Sequence, residues 1–157
     1  MARFFLDCDG VLADFDKKAA EIFGMSSRDY EDKYGTGAFY KKLHAQKDFF
    51  LNLELMPDAM ELYAAVKHLN PIILTGYPPQ VEGAPWQKFE WVARHFGPDQ
   101  KVITTLSVQK SHYMNEGDII VDDWPKHKQK WLDKGGIWVD HFSAKQSIEK
   151  LKELGII

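Results

Sequence analysis

The feature that most constrains this chain is a short apolar run that recurs five times without alternating polar residues. The runs are Arg3-Phe4-Phe5-Leu6, Pro71-Ile72-Ile73-Leu74-Thr75, Val102-Ile103-Thr104-Thr105, Ile119-Ile120-Val121 and Ile137-Trp138-Val139. Short, β-branched and unalternating segments read as strands covered on both faces. Helical patterns follow most of them: Asp58 to Leu69, Pro85 to Phe96, Pro125 to Leu132 and Ser143 to Leu154. Pro125 suits an early helical turn and Ser143 suits a cap. Alternating strand and helix predicts an α/β domain, with a parallel central sheet, helices on both faces and right-handed crossovers.

One stretch breaks the rhythm. Residues 14–56 contain no run of the buried-strand type, but they carry helical spacing at Phe15, Ala19, Ala20, Ile22 and Phe23 and many further aromatics. They read as a small α-helical cap inserted after the first strand and lying over its carboxyl end. The remaining residues, 1–13 and 57–157, form the core. A chain of 157 residues, 45% apolar and 27% charged, suits one such domain.

Charge and cysteine usage exclude some classes. The net charge of −3 is spread without a long run of one sign, which argues against a nucleic-acid-coating or membrane-surface protein. Cys8 is the only cysteine, so no internal disulfide forms. Neither a secretory signal nor an apolar span of about 20 residues is evident, and a soluble cytoplasmic protein is the expectation. The six histidines lack metal-ligand spacing such as HxxxH, which argues against zinc.

In an open parallel sheet, ligands bind beyond the carboxyl ends of the strands. The residues that follow the apolar runs are Asp7 and Asp9, Thr75 and Gly76, Lys110, and Asp122 with Asp123. Four carboxylates on one rim repel each other unless a cation neutralises them, and an all-oxygen set suits Mg2+. Gly10 allows the chain to bend so that Asp7 and Asp9 reach one reacting atom. One can attack phosphorus while the other protonates the leaving oxygen and then activates water. Thr75 and the Gly76 amide suit phosphoryl oxygens, and Lys110 offsets their charge. Each signal also has a structural reading: a Asp-Gly turn, a strand-ending loop, a solvated lysine, and a helix cap ahead of Pro125. Their order at successive strand ends favours the joint reading.

In order along the chain, Asp7-Cys8-Asp9-Gly10, Thr75, Lys110 and Asp122-Asp123 resemble the four motifs of the haloacid dehalogenase-like superfamily. Within it the chain is similar to the 5'(3')-deoxyribonucleotidase family. That likeness runs through Asp9 to Phe15, Phe49 to Leu53, Leu74 to Pro78, Lys88 with Trp91-Val92, and Ile120 to Asp123. The resemblance implies a three-layer Rossmann-like core with a helical cap. It also implies Mg2+ held by Asp7, the Asp9 carbonyl and Asp122, with Asp7 as nucleophile, Asp9 as general acid and base, and Thr75, Gly76 and Lys110 as phosphate ligands. Gly76 departs from the pattern, because those nucleotidases usually carry serine there, and a hydroxyl is removed from the phosphate site.

The expected activity is hydrolysis of a small phosphorylated metabolite, a 5'-nucleotide or deoxynucleotide first. A sugar phosphate, a terminal phosphate on nucleic acid, or a fold kept for binding without turnover are the alternatives. Phe15 and Phe49 are the candidates for stacking on a base, worth about 1 to 3 kcal/mol per base, and Trp86 for closing over the site. Lys88 is assigned to the helix surface and Trp91 to the core. Expected partners are the substrate and, at most, a second copy of the chain, with no membrane and no stable nucleic-acid complex.

Overall fold

The computed structural model describes all 157 residues. Each apolar run becomes a strand: β1 (Phe4–Leu6), β2 (Ile72–Gly76), β3 (Val102–Thr105), β4 (Ile119–Asp122) and β5 (Ile137–Asp140). All pair in parallel, in the order β3-β2-β1-β4-β5. The helices are α1 (Phe15–Phe23), α2 (Ser27–Tyr34), α3 (Thr36–Ala45), α4 (Ala59–Val66), α5 (Ala84–Phe96), α6 (Lys128–Asp133) and α7 (Ala144–Glu153). From β1 the chain builds one way through β2 and β3, then returns to add β4 and β5 on the other side. The order therefore reverses between β1 and β4, and a crevice opens beyond the carboxyl ends of these two strands. Leu6 pairs with Val121, and the Asp7 amide donates to the Val121 carbonyl at 2.9 Å. Asp7 and Asp122 consequently leave the sheet side by side.

Side chains alternate across the sheet, and the two faces are unequal. Phe4, Leu6, Ile73 and Val121 join a large cluster with Leu62 and Val66 of α4, Trp91 and Val92 of α5, and Leu151 of α7. Phe5, Leu74 and Ile120 point the other way, onto Met114 and Trp131 of α6. The expectation of strands buried on both faces holds for β1 and β4. It fails for β3, which is mostly half-buried, and for β5, where Ile137 and Asp140 are exposed. These are the edge strands, each with one neighbour, so one flank is open to water.

Two helical boundaries also differ from expectation. The stretch after Asp58 stays α-helical only to Val66 and tightens to a 3₁₀ turn through Leu69, closed by Asn70 at a φ of 52°. Pro125 starts a 3₁₀ turn that leads into α6. Ser143 caps α7 as expected, its hydroxyl accepting from the Gln146 amide at 3.2 Å.

Helices α1 to α3 lie between β1 and α4. Their aromatics pack on one another, Phe23 against Phe39 at 5.1 Å and against Tyr30 at 4.5 Å, and Phe23 and Phe39 belong to the large core cluster. The chain leaves and re-enters the core through two adjacent segments. The Asp14 amide donates to Glu54 O and the Met56 amide to Leu12 O, both at 2.8 Å. No helix is long and apolar enough to cross a membrane.

Candidate active site

β1 stops at Leu6, and the next residues wind into a tight turn. The Cys8 carbonyl accepts from the amides of Val11, Leu12 and Ala13. Gly10 sits at a φ of 81°, a left-handed conformation that costs glycine little. A Cβ there would collide with the Asp123 carboxylate. Gly10 thus both permits the turn and leaves room for Asp123, the acid just beyond β4.

The turn delivers Asp7 and Asp9 to one rim. Lys110, buried in the 3₁₀ helix Ser107–Tyr113, places its ammonium 2.8 Å from Asp7 Oδ1 and 2.9 Å from Asp122 Oδ2. The other oxygen of Asp122 accepts from the Trp124 amide at 2.9 Å, a local turn bond and not the helix cap that was the structural reading of this pair, since Trp124 itself occupies the cap position before Pro125. One oxygen each of Asp7, Asp122 and Asp123 lie within 4.8 Å of one another. Thr75 ends β2 beside Gly76 and is fully buried. All seven residues collected from the strand ends gather at this rim.

Lys88 had been assigned to the helix surface, and the structure corrects this: it is 2% exposed. Its ammonium donates to Asp9 Oδ2 at 2.5 Å and to Thr75 Oγ1 at 3.1 Å, and lies 4.6 Å from the Phe50 ring centroid. Since Lys88 occupies a lone pair of the Thr75 oxygen, the hydroxyl proton stays free for another acceptor. The signal was present in the sequence. Ala84, Lys88, Trp91 and Val92 fall on one stripe of α5, and all are buried.

Asp9 Oδ1 is buried and has no hydrogen-bond partner in the protein. Such an atom is costly unless it carries a proton or meets a ligand.

The cap candidates divide. Phe49 is 1% exposed and packs edge-on against Phe15 at 5.5 Å and Phe50 at 5.0 Å, so protein takes up the surface expected to receive a base. Phe15 is half-buried in the same group. Trp86 lies in the first turn of α5, 59% exposed.

Electrostatics at the rim are unbalanced. Burial pushes the Asp7 carboxyl up, but the charge and hydrogen bond of Lys110 outweigh it and hold the group below its ordinary range. Burial opposes a charged Lys110, yet Asp7 and Asp122 together raise its pKa and keep it cationic. Asp122 is pushed up to about 7 by burial and by Asp7. Asp123 reaches solvent at one edge, but loss of water around its carboxyl group and the charge of Asp7 push it up to about 9. Burial also raises Asp9, against the pull of Lys88. Four carboxyl groups thus share two ammonium groups, so that only full ionisation of the rim would leave the two negative charges that a divalent cation would offset. The all-oxygen donor set of Asp7, Asp122 and Asp123 fits a hard cation of the Mg2+ type.

The model of the 5' nucleotidase, deoxy (pyrimidine), cytosolic type C protein family matches residues 33–146. The chain belongs to that family. The matched span holds Thr75, Gly76, Lys88, Lys110, Asp122 and Asp123, whereas Asp7 and Asp9 precede it. Among the relatives of this chain is the mitochondrial 5'(3')-deoxyribonucleotidase of Mus musculus, 28% identical over 144 residues. The alignment covers 78% of this chain and 64% of that protein, so the chain spans less than two thirds of the relative's length. In fold it is similar to a hydrolase from Streptococcus pneumoniae TIGR4, with a TM-score of 0.56 at 12% identity over 99% of this chain and 98% of that one. A haloacid dehalogenase-like hydrolase from Burkholderia xenovorans LB400 gives 0.54 at 12% identity, over 97% and 87%. The chain therefore has the Rossmann-like fold of haloacid dehalogenase-like hydrolases.

Proposed function

We propose that this chain is a Mg2+-dependent phosphomonoesterase acting on a small phosphorylated metabolite, with 5'-nucleotides and deoxynucleotides as its substrate class. One observation carries the reading. A buried Asp7, ion-paired with Lys110 at 2.8 Å, stands at the switch point of the sheet, while the neighbouring Asp9 keeps one buried oxygen free of any protein partner. A nucleophile wants the first condition and a proton carrier the second. Membership of the type C family and the deoxyribonucleotidase relative support the nucleotide class.

Asp7 attacks phosphorus, the ester P–O bond breaks, and the leaving oxygen takes its proton from Asp9. Asp9 then removes a proton from water as that water attacks the aspartyl-phosphate on Asp7, which releases inorganic phosphate and regenerates both acids. Lys88 fixes Asp9 through one oxygen and leaves the other for this proton. The Thr75 hydroxyl and the Gly76 amide hold phosphoryl oxygens, and Lys110 balances charge as it moves. Asp7, Asp122 and Asp123, with the Asp9 carbonyl, would hold the cation, which when bound withdraws charge from the phosphoryl group. Residues 14–56 act as a cap whose Phe50 reaches the site through Lys88.

The test is phosphate release from a panel of nucleoside monophosphates, sugar phosphates and a chromogenic ester, with Mg2+ or with chelator. Release is expected only with the cation, fastest on nucleotides. Asp7→Asn is expected to fold and to lose turnover by more than about a thousandfold. Undiminished hydrolysis by Asp7→Asn would falsify the nucleophile assignment.

A further inference from the structure

Gly76 and Ser107 compete for one space. Gly76 ends β2 opposite Thr105 of β3, and the 3₁₀ helix that carries Lys110 starts at Ser107. A Cβ added to Gly76 would collide with the Ser107 hydroxyl and lie 3.1 Å from Ser107 Cβ. The hydroxyl of Ser107 therefore stands where the first atom of a side chain at position 76 would stand. The exclusion is mutual, because a side chain at 76 would evict it.

Two observations aim this hydroxyl at the anion site. In a 3₁₀ helix with three residues per turn, side chains at i and i+3 eclipse. Ser107 thus projects from the same face as Lys110, whose ammonium reaches Asp7 and Asp122. Ser107 is also half-buried, and its side chain makes no hydrogen bond within the protein. A hydroxyl with an uncommitted proton, beside Thr75-Gly76 and in line with an ammonium, is a ready donor to a phosphoryl oxygen.

We propose that Ser107 supplies, from the β3–β4 connection, the phosphoryl-binding hydroxyl that Gly76 lacks on β2. Ser107 and Lys110 then form one anion-binding unit on one helix face. This rests on the reading of the rim as a phosphomonoesterase centre.

The test compares the parent with Ser107→Ala, Gly76→Ser, the double variant Gly76→Ser/Ser107→Ala, and Thr75→Ala as a reference. Inorganic phosphate affinity is measured by calorimetry with Mg2+ present, and KM and kcat on a chromogenic ester alongside, with thermal melts to verify folding. Ser107→Ala is expected to weaken phosphate about tenfold, the loss of one hydrogen bond to a charged group, and to raise KM more than it lowers kcat. Gly76→Ser alone is expected to bind phosphate more weakly and to melt earlier, since two side chains contest one space. The double variant is expected to recover phosphate affinity to within about threefold of the parent, because the new hydroxyl fills the vacated position. A Ser107→Ala protein within twofold of the parent while Thr75→Ala is impaired overturns the proposal, as does a double variant no better than Ser107→Ala. A parent that binds phosphate but hydrolyses nothing sinks the enzyme reading alone, because the affinity series still judges Ser107. A parent that binds no phosphate overturns both.

Discussion

β1 and β4 carry a buried acid at each end of their shared edge, and the two ends are built on opposite terms. At the amino end, Arg3 precedes β1 and Asp118 precedes β4. Asp118 accepts from the Arg3 amide at 2.8 Å, from Arg3 Nε at 3.1 Å, from Arg3 Nη2 at 2.8 Å and from the Asn115 amide at 2.8 Å. Burial lifts its pKa, but these donors outweigh burial and hold the carboxyl below its usual range. At the carboxyl end, Asp7 and Asp122 share one ammonium while Asp9 and Asp123 crowd in, and two of these acids are pushed up to about 7 and about 9. A buried carboxylate saturated by donors helps hold the fold together. A surplus of them, one with an unpartnered oxygen, has to be held in place by the fold and is the form a site takes.

The sharpest way to break this contrast is Asp9→Asn. The amide keeps an acceptor for Lys88 but carries no transferable proton, so turnover is expected to fall by about 10² to 10⁴-fold with the melting temperature unchanged or higher. Hydrolysis at the parental rate would make the unpartnered Asp9 oxygen a structural accident and the rim no different in kind from the Asp118 end.

The mirror experiment is Asp118→Ala, which orphans the donors that Asp118 satisfies. A loss of roughly 2 to 3 kcal/mol in stability is expected, with turnover retained well below the melting temperature. The sign of its pH dependence follows from the lowered pKa. The folded carboxyl titrates below its unfolded value of about 3.9, so its contribution is fully present above that value and is lost as pH falls through the folded one. The difference in melting temperature between parent and variant should therefore be widest near neutrality and close on acidification. A difference that persists at low pH would mean packing, not charge, does the holding.

How much of each end was legible follows from what decides it. The strands and the acids beyond them are local patterns, a β-branched run and then a carboxylate, and β1, β2 and β4 with Asp7, Thr75 and Asp122 were readable for that reason. Lys88 was misassigned because a lysine on a buried helical stripe is tolerated only if an acid meets it, and that acid, Asp9, lies 79 residues away. Phe49 reads as a stacking platform from its residue type alone because a core ring is the same residue type, and only the positions of Phe15 and Phe50 separate the two. Ser107 has no pattern of its own, and its meaning depends on the missing side chain of Gly76 on the neighbouring strand. The Arg3–Asp118 pair escaped because partners 115 residues apart become neighbours only once β1 and β4 pair.

The smallest and most discriminating change is Asp123→Asn. The substitution keeps the shape that fits over Gly10 and removes one negative charge from the group facing Asp7. Two unit charges about 4 Å apart exchange about 4 kcal/mol at an effective dielectric constant near 20. Asp123 is open to water on one side, which screens most of that, so the variant is expected to gain at most about 1 kcal/mol in chelator. Mg2+ that binds only the folded protein stabilises it by RT ln(1 + [Mg2+]/Kd). Losing one ligand oxygen and one charge weakens that binding, so the rise in melting temperature on adding Mg2+ should be smaller than in the parent. The melt in chelator should thus rise while the increment on adding Mg2+ shrinks. A variant that melts earlier in chelator would show that the Asp123 carboxylate charge stabilises the fold, and the rim would then be built on the same terms as the Asp118 end.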